Sequence, residues 1–199
     1  MRPEFAESLR CPACGSALET DARAWRGASI AEGTLRSPCG LAFEIRDGVP
    51  RMLPEGEAPS EVSRRTQALF GDEWQRFPEL LRVHADIFRW YFEGDGAVHW
   101  PALRVLDAGC GMGRWLHFAG QAGARMVGMD VSAAVDVAAR REGEAADFVQ
   151  ADLREPPFAT ESFDLVYSLG VVHHLENPAA AVFALGRLVR PGGTLRLYV

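Results

Sequence analysis

From position 103 onward, short apolar runs alternate with segments whose apolar residues recur at helical spacing. Residues 103–107, 124–130, 148–151, 163–168 and 194–199 read as strands, and 113–121, 132–141 and 178–189 as helices. Strands alternating with helices imply a parallel sheet covered on both faces, with ligands held at the strands' carboxyl ends. Upstream the pattern changes. Residues 54–60 have the composition of a linker, and Ser60 can cap a helix whose Val62, Thr66, Leu69 and Phe70 share a face before Gly71 ends it. A further helix over 78–92 aligns Leu80, His84, Ile87 and Tyr91 beside Leu81, Phe88 and Phe92, a stripe that reads as core. The expectation is an α/β chain in three parts: a small unit over 1–54, a linker and helical segment over 55–100, and a Rossmann-like core over 101–199.

Charge narrows the chemistry. The 199 residues carry a formal charge of −6, and all 21 basic side chains are arginine, which excludes Schiff-base and lysine-base mechanisms. Residues 1–54 hold seven arginines against seven acids, 55–100 five against nine, and 101–199 nine against eleven. No part has the basic excess that nucleic acid demands, which argues against such a partner. No run approaches the ~18 uninterrupted apolar residues of a membrane span, and the N-terminus lacks a basic-then-apolar signal pattern, so a cytoplasmic location is expected. In that compartment the four cysteines read as metal ligands or packing residues rather than disulfides.

The candidate chemistry gathers on Val105-Leu106-Asp107-Ala108-Gly109-Cys110-Gly111-Met112-Gly113-Arg114. Gly109, Gly111 and Gly113 allow a sharp turn and close approach of a ligand, and the following helix aims its N-terminal amides at it. Cys110 reads as a small apolar residue under the turn. The dinucleotide spacing G-x-G-x-x-G fails, because the third place after Gly111 is Arg114. Asp107 would repel a pyrophosphate but suits a ligand bearing sulfonium and ammonium groups. The stretch resembles the first motif of class I S-adenosylmethionine-dependent methyltransferases, and the resemblance continues over 103–199 through Phe163-Asp164-Leu165-Val166-Tyr167-Ser168 and Arg190-Pro191-Gly192-Gly193. It implies cofactor contacts at Asp107, Gly109, Cys110, Gly111 and Gly113, at Asp130 with Val131 beside it, at Asp152 with Leu153 packing on the adenine, and at Ser168. Asp130 closes the second strand, where a carboxylate can accept from both ribose hydroxyls. Taken singly, an acid at a strand end is as often a helix cap. His173, after the fourth strand, is the candidate general base, since histidine titrates near neutrality; packing of His173 and His174 against the next helix is the competing reading.

The unit over 1–54 has Cys11-Pro12-Ala13-Cys14-Gly15 and, later, Ser37-Pro38-Cys39-Gly40. With Phe43-Glu44-Ile45-Arg46-Asp47-Gly48-Val49-Pro50 it is similar to the small β-rich zinc-ribbon-like module related to the tRNA methyltransferase activator subunit. Cys11, Cys14 and Cys39 are the candidate zinc ligands. Arg36 stands where that pattern has a fourth cysteine, leaving the alternative of a metal-free ribbon held by its apolar residues. Phe70-Gly71-Asp72-Glu73-Trp74-Gln75-Arg76-Phe77 is similar to a segment preceding the first strand in some of these methyltransferases, where Trp74 would serve a lid or staple two helices.

The resemblance implies methyl transfer from S-adenosylmethionine to a small-molecule nucleophile by in-line displacement. The alternatives are a non-catalytic adenosine-ligand or partner-binding module and an RNA methyltransferase guided by the ribbon. The family's sheet continues with two strands beyond the fifth. Residues 194–199 are therefore expected as an edge, either continued in a longer gene product or paired with a second copy.

Overall fold

The computed structural model describes residues 1–53, 79–92 and 98–199. The helix expected after Ser60, Trp74 and the linker over 54–60 lie outside the described residues.

After a short helix, α1 (Pro3–Ser8), the strands β1 (Glu19–Arg26), β2 (Ser29–Arg36), β3 (Ala42–Arg46) and β4 (Val49–Met52) form an antiparallel meander. The β3–β4 hairpin turns on Asp47 and Gly48, both at positive φ (50° and 78°), the two-residue geometry whose twist suits a tight hairpin and which an Asp-Gly pair adopts readily. Helix α2 (Arg82–Phe92) follows, beginning later than expected; His84, Phe88 and Phe92 of the apolar stripe are buried, whereas Leu81, just before the helix, is exposed.

The remainder alternates: β5 (Arg104–Ala108), α3 (Arg114–Gln121), β6 (Arg125–Asp130), α4 (Ala134–Glu142), β7 (Ala146–Ala151), β8 (Phe163–Leu169), α5 (Pro178–Leu188) and β9 (Val189–Tyr198). Asn177 starts α5 by accepting the Ala180 N–H at 3.0 Å, with Pro178 in the first turn where its missing donor costs nothing. Several expected boundaries move. β7 begins at Ala146, two residues early, and β9 begins at Val189, because Val189 already pairs with Phe163 before an irregularity brings Thr194 opposite Leu165.

The nine strands among the described residues make one sheet, ordered β1-β2-β3-β4-β7-β6-β5-β8-β9. The five strands from residue 104 onward run parallel, with helices on both faces, as the strand–helix rhythm requires. One face packs under α1 and α5 through Leu106, Val127, Val149, Val166 and Leu185. The other packs under α2, α3 and α4 through Phe88, Val105, Leu116, Val135 and Leu165. The meander continues the sheet: β4 pairs with β7 through Arg51↔Gln150 and Met52↔Ala151, and Leu9, Leu35, Ile45 and Met52 join the first of these cores. Polar ties reinforce that seam. Arg51 reaches Asp136 of α4 at 2.7 Å, and Arg2 is paired with Asp147 of β7. The pairing covers an edge of β7 that would otherwise present unpaired amides and carbonyls.

Candidate functional site

The loop after β5 brings the candidate chemistry to the carboxyl end of the parallel strands. Gly109, Gly111 and Gly113 all sit at positive φ (87°, 51° and 80°), where L side chains are strained. At Gly109 a Cβ would meet Val171 Cγ1 at 2.6 Å, and at Gly113 it would meet the Ala138 Cβ of α4 at 2.9 Å. The first glycine thus lets the segment after β8 close on the loop, and the third lets α3 lie against α4.

Asp130, at the end of β6, organises this loop from the neighbouring strand. Its Oδ2 accepts the Gly111 N–H at 2.8 Å, and its Oδ1 accepts the Ser132 N–H and hydroxyl at 2.8 and 2.7 Å. Burial raises its pKa, opposed by these hydrogen bonds, yet the residue keeps partial exposure at the strand end. Asp107 is different: it is 1% exposed, and the Tyr167 hydroxyl donates to its Oδ2 at 3.0 Å. Desolvation raises Asp107 to about 8, with the Tyr167 hydrogen bond opposing the rise and the Asp130 charge adding to it. Tyr167 itself is fully buried and in register with Asp107 on the adjacent strand.

The other sequence-expected positions fall around this centre. Cys110 is buried under the turn with its thiol 3.7 Å from the Gly111 carbonyl, and burial pushes its pKa well up. The Val131 carbonyl accepts from Gln150 Nε2 at 3.0 Å. Ser168 is buried and donates to the Ala108 carbonyl at 2.7 Å, clipping β8 to β5 under the loop. Leu153 is buried beside Asp152. Both Asp152 oxygens are held by its own neighbour: Arg154 Nη2 lies 2.6 Å from Oδ2, and Arg154 Nε and N–H bond to Oδ1 at 3.0 and 2.8 Å. His173 is exposed in a one-turn helix after β8, its ring centroid 4.0 Å from that of His174.

A second cluster lies in the meander. The ligand atoms of Cys11, Cys14 and Cys39 all fall within 4.8 Å of one another, and Cys11 Sγ is 3.7 Å from Cys39 Sγ. Four sulfurs ~2.3 Å from a tetrahedral zinc stand about 3.8 Å apart, so the three thiols fit that ion. Arg36 points away, its guanidinium 3.6 Å from Asp21 at the surface. The group facing the cluster is the next residue, Ser37, with Oγ 3.0 Å from Cys39 Sγ and 3.4 Å from Cys14 Sγ. Hydrogen bonds from Ser16 and then Ser37 lower the exposed Cys14 thiol to about 6, toward the thiolate a metal prefers.

Sequence reasoning passed over Tyr167, Arg154 and Ser37 as site residues. Ser37, beside Cys39, and Arg154, two residues from Asp152, were within reach of the sequence, whereas Tyr167 needs the register of β8 with β5.

Comparison with known proteins agrees with this geometry. The family described as a methyltransferase domain matches residues 106–197. A malonyl-[acyl-carrier protein] O-methyltransferase of Enterobacter lignolyticus is 41% identical over 143 residues, covering 69% of this chain and 54% of the relative. A ubiquinone biosynthesis O-methyltransferase of Hahella chejuensis is 34% identical over 100 residues, covering 48% and 42%. The chain spans about half or less of these curated relatives. The crystal structure of magnesium protoporphyrin IX methyltransferase from Synechocystis superposes with a TM-score of 0.52 at 23% identity, covering 67% of this chain and 74% of that one, a likeness of fold. The methyltransferase-domain match over residues 106–197, together with these relatives, supports a class I S-adenosylmethionine-dependent methyltransferase.

Proposed function

We propose that this protein transfers a methyl group from S-adenosylmethionine to a small-molecule nucleophile. The observation that carries the reading is the positive-φ glycine loop held by Asp130 and floored by Asp107. A backbone without side chains can approach an adenosine, a partly exposed carboxylate at the strand end can accept ribose hydroxyls as its Ser132 contacts yield, and a buried carboxyl suits a cationic ligand. The names of two relatives, an acyl-carrier and a ubiquinone-biosynthesis O-methyltransferase, support a small acceptor. When bound, the sulfonium supplies the reactivity. The chain's own residues align the partners and exclude water. Asp152 serves the adenine amine only if Arg154 swings off its carboxylate. In this reading His173, exposed after β8, takes a proton from an incoming hydroxyl. Among the described residues no helix is long and apolar enough to cross a membrane.

The test is methyl-labelled S-adenosylmethionine incubated with a panel of small hydroxyl, carboxyl and amine acceptors. A labelled product is expected, with His173→Ala lowering kcat about 10²-fold, the lower range for a lost general base, while cofactor affinity stays within twofold. Label transfer that proceeds as fast without His173 assigns the proton to solvent.

The thiol cluster is proposed as a structural zinc site in which Ser37 or water completes the shell. Elemental analysis should find about one zinc per chain. Closing the shell with Ser37→Cys should slow zinc loss to a chelator at least tenfold, whereas Arg36→Cys should not, because that side chain faces Asp21. Faster retention gains from position 36 than from 37 would refute the assignment.

A further inference from the structure

At the end of the sheet remote from the glycine loop, β5 and β6 open side by side with Arg104 opposite Arg125 in parallel register. Opposed residues of neighbouring strands point to the same face, and like charges there are unfavourable unless something neutralises them. Among the described residues this happens only in part: Asp147 and Asp164 act on Arg104 from nearby, but both are engaged elsewhere. Asp164 accepts the Arg104 backbone N–H at 2.6 Å and is paired with Arg190 at 2.6 Å, and Asp147 is paired with Arg2. Among the described residues neither Arg104 nor Arg125 has an ion pair. The Arg104 guanidinium lies instead over the Phe163 ring, 4.9 Å from its centroid, and burial lowers its pKa.

These two arginines, with Arg2, line a cleft of about 360 Å³ between α1 and the sheet. Its remaining walls include the apolar side chains of Phe5 and Val127 and the carboxylates of Glu4 and Asp147. Three guanidinium groups against two carboxylates leave one excess positive charge in a chain whose net charge is −6. The cleft exceeds what a bare phosphate fills, and its apolar walls suit an organic group. Four residues of β5 at ~3.3 Å each put it roughly 13 Å from the start of the glycine loop, too far to share the cofactor's contacts.

We propose that this cleft is an anion site which takes the phosphate group of a small phosphorylated molecule between Arg104 and Arg125, with the organic part against Phe5 and Val127. Guanidinium forks match tetrahedral oxyanions bidentately, and the ligand completes the countercharge that the fold supplies only in part.

The experiment follows the melting temperature of the full chain against phenyl phosphate and inorganic phosphate, with chloride at matched ionic strength as reference. The wild type should show a saturable rise of several degrees, as a ligand selective for the native state produces. The Arg104→Gln/Arg125→Gln protein should show only the unsaturating rise common to excluded anions. Phenyl phosphate should bind at least threefold tighter than inorganic phosphate. At low salt without either ligand, Arg125→Gln alone should melt at or above the parent temperature because a repulsion is removed. An identical phosphate response in parent and double variant overturns the site, as does a marked loss of stability in Arg125→Gln. Tighter binding of inorganic phosphate overturns the choice of an organic phosphate.

Discussion

Asp130→Ala is expected to lower affinity for S-adenosylmethionine and its demethylated product at least a hundredfold. The magnitude follows from the two ribose hydroxyls: hydrogen bonds to a charged acceptor contribute about 1.5–3 kcal/mol each, so losing both costs about 3–6 kcal/mol. The loop suffers as well. Asp130 is the acceptor for the Gly111 N–H and for the Ser132 N–H and hydroxyl, and alanine removes that acceptor from the glycine-rich turn. A fall of about 1–3 kcal/mol in stability is expected from the unmet donors, offset in part by the removal of a carboxylate whose burial is unfavourable. Asp130→Asn separates the two effects. The amide retains an acceptor oxygen for the loop but not the charge, so the melting temperature should recover more than the affinity does. Calorimetric titration of the three proteins decides, and an alanine variant that binds as tightly as the parent would mean that the ribose lies elsewhere.

The alternation of apolar strands and helices was legible because burial on both faces leaves no room for another pattern. Leu106, Val127, Val149 and Val166 had to be apolar wherever the sheet was covered, and the glycine loop announced its backbone conformation through the residue type alone. What the sequence could not convey was adjacency between distant segments. The meander over residues 19–52 has strand-like runs of its own, and nothing in their spacing indicates that β4 pairs with β7, almost a hundred residues later. The same gap hid the interior of the site. Tyr167 looked like one more large residue in a buried strand, and only the register Asp107↔Tyr167 turns its hydroxyl into a partner for the carboxyl. Arg36 was singled out by counting from Cys39, but a strand sends successive side chains to opposite faces, so the neighbour Ser37 meets the thiols while Arg36 goes to Asp21.

That Asp107–Tyr167 pair leads to the second large effect, a cofactor affinity that climbs with pH. The groups acting on the Asp107 carboxyl are the Tyr167 hydroxyl from β8, the Asp130 carboxylate from β6 and a backbone hydrogen bond at Leu116 of α3; the Cys110 thiol also lies close, its own pKa raised in part by Asp107. Desolvation dominates and holds Asp107 protonated up to about 8 in the unliganded protein. A folded-state pKa above the unfolded value makes the sign definite: this group's contribution to stability is full below pH ~4, declines as the unfolded chain ionises first, and is lost by about pH 8. A cationic ligand reverses the preference, since it favours the carboxylate, and its uptake below pH 8 must then release a proton. Affinity for S-adenosylmethionine should therefore rise by up to tenfold per pH unit between about 6 and 8 and level off above. Tyr167→Phe removes the one side-chain hydrogen bond that stabilises the ionised form, so the plateau should move up by about one to two pH units, corresponding to the ~1.5–3 kcal/mol of a bond to a charged group. Loss of packing alone would weaken binding equally at every pH, whereas loss of the hydroxyl moves the profile along the axis. Titrations of both proteins at pH 6, 7, 8 and 9, with proton release measured in buffers of different ionisation enthalpy, distinguish the two. A flat profile in the parent, with no proton released, would show that Asp107 stays protonated beneath the bound cofactor.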